Sequence, residues 1–304
     1  MIMRFILFLS IAVVLFGLEP IVALHKVPVN EEKARLGKEL FFDASLSKDN
    51  SVGCISCHNI YDGGADPRIV SVGYGARRGN IQSPTVLNAV FNFRQFWNGR
   101  AKDLYEQAKG PLLNPVEHNM TPELVVQRVK VNKEYVKQFV QFYPDGVTFE
   151  NVIDAIVEFE KTLVTPSKFD RYLEGKGSLT QKELKGYHLF KQFGCISCHN
   201  GINVGGNSFA KIGFFQSYDT DKVYPDRYAV TKNPLDKNVY KVPTLRNIEL
   251  TAPYFHDGGA KTLKSAIKIM GDRNLGIALD PEQIDAIEEF LKTLTGKLPK
   301  IAYE

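Results

Sequence analysis

Six residues fall into two identical patterns. Cys54-Ile-Ser-Cys57-His58 and Cys195-Ile-Ser-Cys198-His199 both read C-x-x-C-H, and together they use every cysteine of the chain. That spacing suits one chemistry. Two thiols reach the two vinyl groups of a single porphyrin, and the adjacent imidazole swings under the ring to ligate its iron. A redox dithiol needs a thioredoxin-like βαβ setting, which the flanking sequence does not provide. A four-cysteine zinc site places its pairs about 15–20 residues apart, whereas 137 residues separate Cys57 from Cys195. Two plain disulfides leave the repeated histidine without a purpose. The motifs predict two covalent haem c groups, with His58 and His199 as iron ligands.

Haem c attachment is expected outside the cytoplasm, and the N-terminus agrees. Arg4 gives a short positive region, and Phe5 to Leu18 form an apolar run of 14 residues. Pro20 and a small-residue site ending at Ala23 follow. Residues 1–23 read as a secretory signal peptide. A retained membrane anchor is the other reading, although the run is shorter than the ~20 apolar residues that span a bilayer. The expected location is the periplasm, with no membrane attachment after cleavage. The formal charge is +4, from 38 basic and 34 acidic residues among 304. No block of five or six basic residues occurs, so nucleic acid is not an expected partner.

The two motifs head an internal repeat. Gly37 to Phe41 and Gly186 to Phe190 share the pattern Gly-x-x-Leu-Phe. Downstream, Pro84-Thr85-x-x-Asn88 matches Pro243-Thr244-x-x-Asn247. Thirteen residues after each proline stands an aromatic ring, Trp97 in one half and His256 in the other. Asn98 to Leu104 then matches Asp257 to Leu263. Pro166, Gly175 and Gly177 interrupt the pattern between residues 165 and 178. The expected domains are therefore 24–165 and 178–304.

The segments that must position these motifs read as helices between irregular loops. Thr121-Pro122 opens one helix. Thr180-Gln181-Lys182-Glu183 is a capping box, with Leu184, Tyr187 and Phe190 at helical spacing after it. Asp280-Pro281 opens the last helix, whose Ile284, Ile287, Phe290 and Leu294 share one face. Val152, Ile156 and Leu163 form another. Strand alternation is nowhere sustained, and residues 200–260 read as loop. The fold class is all-α, with two cytochrome c-like domains.

With these motifs assembled, the chain resembles the bacterial dihaem cytochrome c peroxidases, a family that includes the related MauG proteins. The resemblance covers nearly all of the mature chain. It is carried by both haem motifs, Ser83 to Asn88, Gln95 to Ala101, Val242 to Asn247 and Pro253 to Gly258. It implies a peroxidatic N-terminal haem and an electron-transfer C-terminal haem, acting on hydrogen peroxide with electrons from a small periplasmic donor such as a monohaem cytochrome c. It further implies Met270 as the second ligand of the C-terminal haem iron. Glu117 becomes the distal acid-base group and Gln107 a distal polar residue. Trp97 is implied between the haems, and Arg246 at a haem propionate. A homodimer is implied, as is a calcium ion held by oxygens of Gln82, Thr251 and Pro253.

One position departs from the family. Its peroxidatic haem commonly carries a second histidine at rest, and that position is Tyr74 here. Tyr74 either ligates the iron as a phenolate or leaves it five-coordinate, and His118, beside Glu117, is another candidate. A dihaem electron carrier without peroxide chemistry and a MauG-like oxidase remain as alternative functions. The Glu117, Gln107 and Trp97 set favours the peroxidase.

Overall fold

The computed structural model describes residues 19–220 and 222–304. The expected signal peptide lies outside the described residues, except for its last five positions. Among the described residues, ten helices follow one another along the chain. In the first half they are α1 (Glu31–Phe42), α2 (Leu104–Leu113), α3 (Pro122–Val131), α4 (Lys133–Phe142) and α5 (Phe149–Thr162). A short α6 (Lys168–Leu173) leads into α7 (Gln181–Gln192), α8 (Tyr228–Thr231), α9 (Leu263–Ile269) and α10 (Pro281–Lys292). None is long and apolar enough to cross a membrane. The haem motifs form single 3₁₀ turns, at Cys54–Ser56 and Cys195–Ser197.

The helix starts follow their caps. Thr121 accepts a hydrogen bond from the Leu124 amide, with Pro122 in the first turn. Thr180 and Glu183 close a reciprocal box, and so do Asp280 and Gln283. Each box satisfies amides that a helix N-terminus leaves unpaired. The sequence expectation fails only within residues 200–260. There β1 (Phe209–Lys211) pairs antiparallel with β2 (Val239–Lys241). Strands of three residues are too short to display alternation.

Each half is built on one close helix crossing. α1 lies against α5 in the first half, and α7 against α10 in the second. Glycine makes the approach possible. A Cβ on Gly37 would run into the Ala155 carbonyl oxygen and the Phe159 side chain, and one on Gly186 would meet Ala286 and Phe290 in the same way. Leu36, Leu40 and Phe41 then pack with Ile153, Ile156 and Phe159 in the first core. Tyr187 and Phe190 pack with Ile287 and Phe290 in the second.

The chain ends cross between these cores. Ile21 and Phe169 are buried in the second core, while Ala302 is buried in the first. The Tyr61 hydroxyl donates to the Ala302 carbonyl at 2.8 Å. At the seam the repeated asparagines converge. Asn88 and Asn247 both adopt left-handed backbone, at φ 59° and 60°. Their side-chain amides donate to the Thr165 hydroxyl at 2.8 and 2.9 Å.

Gly37→Ala and Gly186→Ala should each destabilise the holoprotein by about 3 kcal/mol, because the added methyl meets a backbone carbonyl that cannot rotate away. Denaturant titration of each variant checks this. A loss below about 0.5 kcal/mol would mean that the helices part easily and that the close approach is incidental.

Candidate haem sites and their surroundings

Each C-x-x-C-H turn opens onto its own cavity. Cys54, Cys57 and His58 line the first, and Cys195, Cys198 and His199 line the second. Burial pushes the Cys195 thiol up to about 11 and the Cys54 thiol still higher. Such thiols are poor nucleophiles, which argues against a redox dithiol. His58 and His199 are both held neutral by burial, the latter down to about 4. A neutral imidazole is the form that binds a metal.

Their second nitrogens differ. His58 Nδ1 is 3.2 Å from the Gly64 carbonyl, a backbone partner of the kind that fixes a ligand tautomer. His199 Nδ1 is buried without a well-formed hydrogen bond, and the nearest carbonyls are those of Val204 and Pro243. The donor sets fit haem c. Two thiols and one neutral imidazole face each cavity, and Met270 lines the second one together with His199.

The surroundings of the two cavities are not alike. Glu117, Gln107, His118, Arg78, Arg100 and Glu160 all line the first. Burial raises the Glu117 pKa above the ordinary carboxylate value. The Asn114 amide, donating to Oε1 at 2.6 Å, and the Arg100 charge pull it back. The Arg100 guanidinium lies over the Phe96 ring, 3.3 Å from its centre. His118 is buried, with Nδ1 2.8 Å from the Leu46 carbonyl. Tyr74 is not among the lining residues. Its ring lies under Arg77 at 5.2 Å, while its amide donates to the Glu117 carbonyl at 2.6 Å.

Trp97 lines both cavities. Its indole N–H donates to the Gln82 carbonyl at 2.8 Å, and its own carbonyl accepts from the Lys241 amide at 2.7 Å. The ring packs edge-on against Tyr240 and His256. It is thus a wall shared by the two halves.

A family model described as di-haem cytochrome c peroxidase matches residues 31–178, and one described as cytochrome c matches residues 184–295. The cytochrome c551 peroxidase of Nitrosomonas europaea is 50% identical over 285 residues, covering 92% of this chain and 85% of that protein. The chain belongs to the dihaem cytochrome c peroxidase family. The cytochrome c551 peroxidase of Pseudomonas aeruginosa is 46% identical, over 94% of this chain and 85% of its own length. A MauG-like protein associated with microbial copper homeostasis has a crystal structure that matches with a TM-score of 0.82 at 25% identity. That match covers 93% of this chain and 95% of the other.

For a dihaem cytochrome c peroxidase, two expected sites need comment. Arg246 does not line either cavity. Its guanidinium is fully buried and committed elsewhere, to Asp170 at 3.0 Å and to the carbonyls of Ile202 and Val22 at 2.6 and 3.1 Å. It ties the entering chain and α6 to the second domain. Gln82, Thr251 and Pro253 all line the second cavity. They offer a cation neutral oxygens, and the Gln82 carbonyl already accepts from Trp97. No group of three His, Cys, Asp or Glu side chains that could hold a metal ion occurs among the described residues. The set lacks the carboxylates that commonly hold calcium.

Sequence reasoning missed Arg100, Asn114, Glu160 and Lys241. Arg100 lies inside a quoted motif, so a signal was present. Glu160 carried none. It is buried on α5, with Oε2 unpartnered among the described residues, and burial raises its pKa to about 8. It is therefore protonated at neutral pH.

The Asn114 hydrogen bond favours ionised Glu117. Asn114→Ala should therefore move the acidic limb of the peroxide-reaction pH profile upward by about one unit. Stopped-flow rates across the acidic range measure it. A limb that stays in place, or moves downward, would mean that another group sets it.

Proposed function

We propose that this peroxidase reduces hydrogen peroxide to water in the periplasm, drawing electrons from a small c-type cytochrome. The supporting observation is the asymmetry of the two cavities. In the repeat frame Leu104 corresponds to Leu263, and seven residues on Pro111 corresponds to Met270. Both line their cavities. Met270 offers a thioether, a ligand that raises haem reduction potential. Pro111 offers no ligand, so the first cavity keeps room for peroxide. The haem iron would bind peroxide in the first cavity and hold electrons in both.

The residues around the first cavity handle protons and charge. Glu117, lining the first cavity, would accept a proton from bound peroxide and return it to the departing oxygen. Asn114 fixes the carboxylate that does this. Arg100 and Gln107 supply donors to the polarised oxygens. Two electrons and two protons convert one peroxide into two waters. Trp97, walled between the cavities, lies where an electron leaving the second domain must pass.

Tyr74 points away from the first cavity, which supports an iron without a sixth protein ligand at rest. The fully oxidised enzyme should then bind peroxide without prior reduction. Resting electron paramagnetic resonance should show high-spin ferric haem, little changed by Tyr74→Phe. A resting signal that is wholly low-spin, with peroxide binding only after reduction, would refute this.

Glu117→Gln should lower peroxide turnover by about 10²-fold or more, the usual share of general acid-base catalysis, while both haems stay attached. Steady-state assay with a reduced c-type cytochrome, on periplasmic protein of verified haem content, reads this out. A loss of less than about threefold would assign the proton transfer to another group.

A further inference from the structure

Lys241 is a buried cation without a counter-ion. It ends β2, is 5% exposed and lines the second cavity. No ion pair or side-chain hydrogen bond to its amine occurs among the described residues, although the amine is not completely sealed from the cavity. Burial alone lowers its pKa to about 8. An isolated ammonium in such a place is costly unless something anionic is supplied.

The cavity itself does not supply it. Its lining contains no Asp, Glu or Arg, and its lysines are Lys241 and the exposed Lys211. Haem c brings two propionates, and these are the anionic groups of an otherwise neutral periphery. A haem attached through Cys195 and Cys198 would carry its propionates on the edge away from those thioethers. Lys241 sits on the side of the cavity that the first domain closes. Its amide is bonded to the Trp97 carbonyl, and Trp97, Gln95 and Asn92 line the cavity there. Arg246, the other candidate cation, is already taken by Asp170.

We propose that Lys241 is the internal counter-charge of the C-terminal haem propionates and that it raises that haem's reduction potential. A fixed positive charge near the ring favours the ferrous state, which carries one positive charge fewer than the ferric. The reaction pairs one ammonium with one propionate and transfers no atom. The proposal rests on the reading that this domain holds a His199/Met270 haem. The test therefore follows that ligation separately, through the thioether-to-iron charge-transfer band.

The experiment is a redox titration of the holoenzyme, following the C-terminal haem in Lys241→Met, Lys241→Gln and Lys241→Arg. At a fixed solution potential near the wild-type midpoint, the two neutral variants should lower the ferrous-to-ferric ratio about tenfold. For a one-electron couple this corresponds to about 59 mV. Lys241→Arg keeps the charge and should stay within about twofold of wild type. A neutral variant with its thioether band intact and a ratio within twofold overturns the proposal and leaves the ligand assignment standing. A wild-type enzyme without the band overturns the reading beneath it. If neither neutral variant matures, the arginine variant decides. A ratio near wild type supports the counter-charge, and a tenfold fall overturns it.

Discussion

The Thr165 hydroxyl, accepting from Asn88 and Asn247 together, is the contact on which the arrangement of the two halves depends. Each asparagine is the last residue of the repeated Pro-Thr-x-x-Asn segment, and each is left-handed there. Asn tolerates that backbone better than most residues. The Asn88 amide donates to the Leu163 carbonyl, and the Asn247 amide to that of Leu294. The Asn88 side-chain oxygen accepts from the Thr165 amide, and the Asn247 oxygen from that of Gly296. The side-chain amides and oxygens of both asparagines are thus paired at buried positions, as a rigid seam requires. Rigidity matters because Trp97, between the two cavities, can serve both only if the halves do not rock.

The crossing of the chain ends reinforces that seam. Ile21 and Val22, which the sequence expectation assigns to the end of a cleaved signal peptide, are packed here: Ile21 lies in the second core and the Val22 carbonyl accepts from Arg246, so cleavage after Ala23 would remove both contacts. The Leu24 amide donates to Asp170, the partner of the same arginine. At the other end, Ala302 is in the first core. Separating the halves would therefore expose apolar surface at two distant points and strip a buried ion pair of its setting. Removing one partner of such a pair costs more than the pair itself contributes.

Much of this was legible in the sequence, and the reasons are physical. Caps such as Thr180 with Glu183 satisfy local rules, so they announce themselves within four residues. The two glycines appear as a repeated Gly-x-x-Leu-Phe pattern because both helix crossings have the same contact to make. Covalent haem attachment imposes a fixed spacing, so Cys54 to His58 needs no tertiary information. What escaped is long-range. The partner of Arg246 lies 76 residues away, and no local pattern distinguishes a guanidinium that meets Asp170 from one that meets a cofactor. Glu160 looks like an ordinary helical charge until the fold buries it at the first cavity. β1 and β2 are defined by each other rather than by their own residues.

The difference between the halves grows from one helix. α2 and α9 begin alike, with Asp103 and Thr262 capping Leu104 and Leu263. α2 then runs ten residues to Leu113, through Pro111. α9 stops at Ile269 and widens into a π turn over Met270–Leu275. A π turn inserts a residue and re-aims the side chains around it, and here it falls at the thioether. Where α2 continues instead, the chain beyond it turns back at Asn114 and delivers Glu117 to the cavity. One ancestral frame thus gives two outcomes. The widened helix end brings the Met270 thioether to the lining of an apolar cavity. The continued helix puts Pro111 at the matching place and leads on to a buried carboxyl, Glu117, in the lining of the other. The duplicated scaffold makes both cavities, and the last turn of this one helix makes their linings differ.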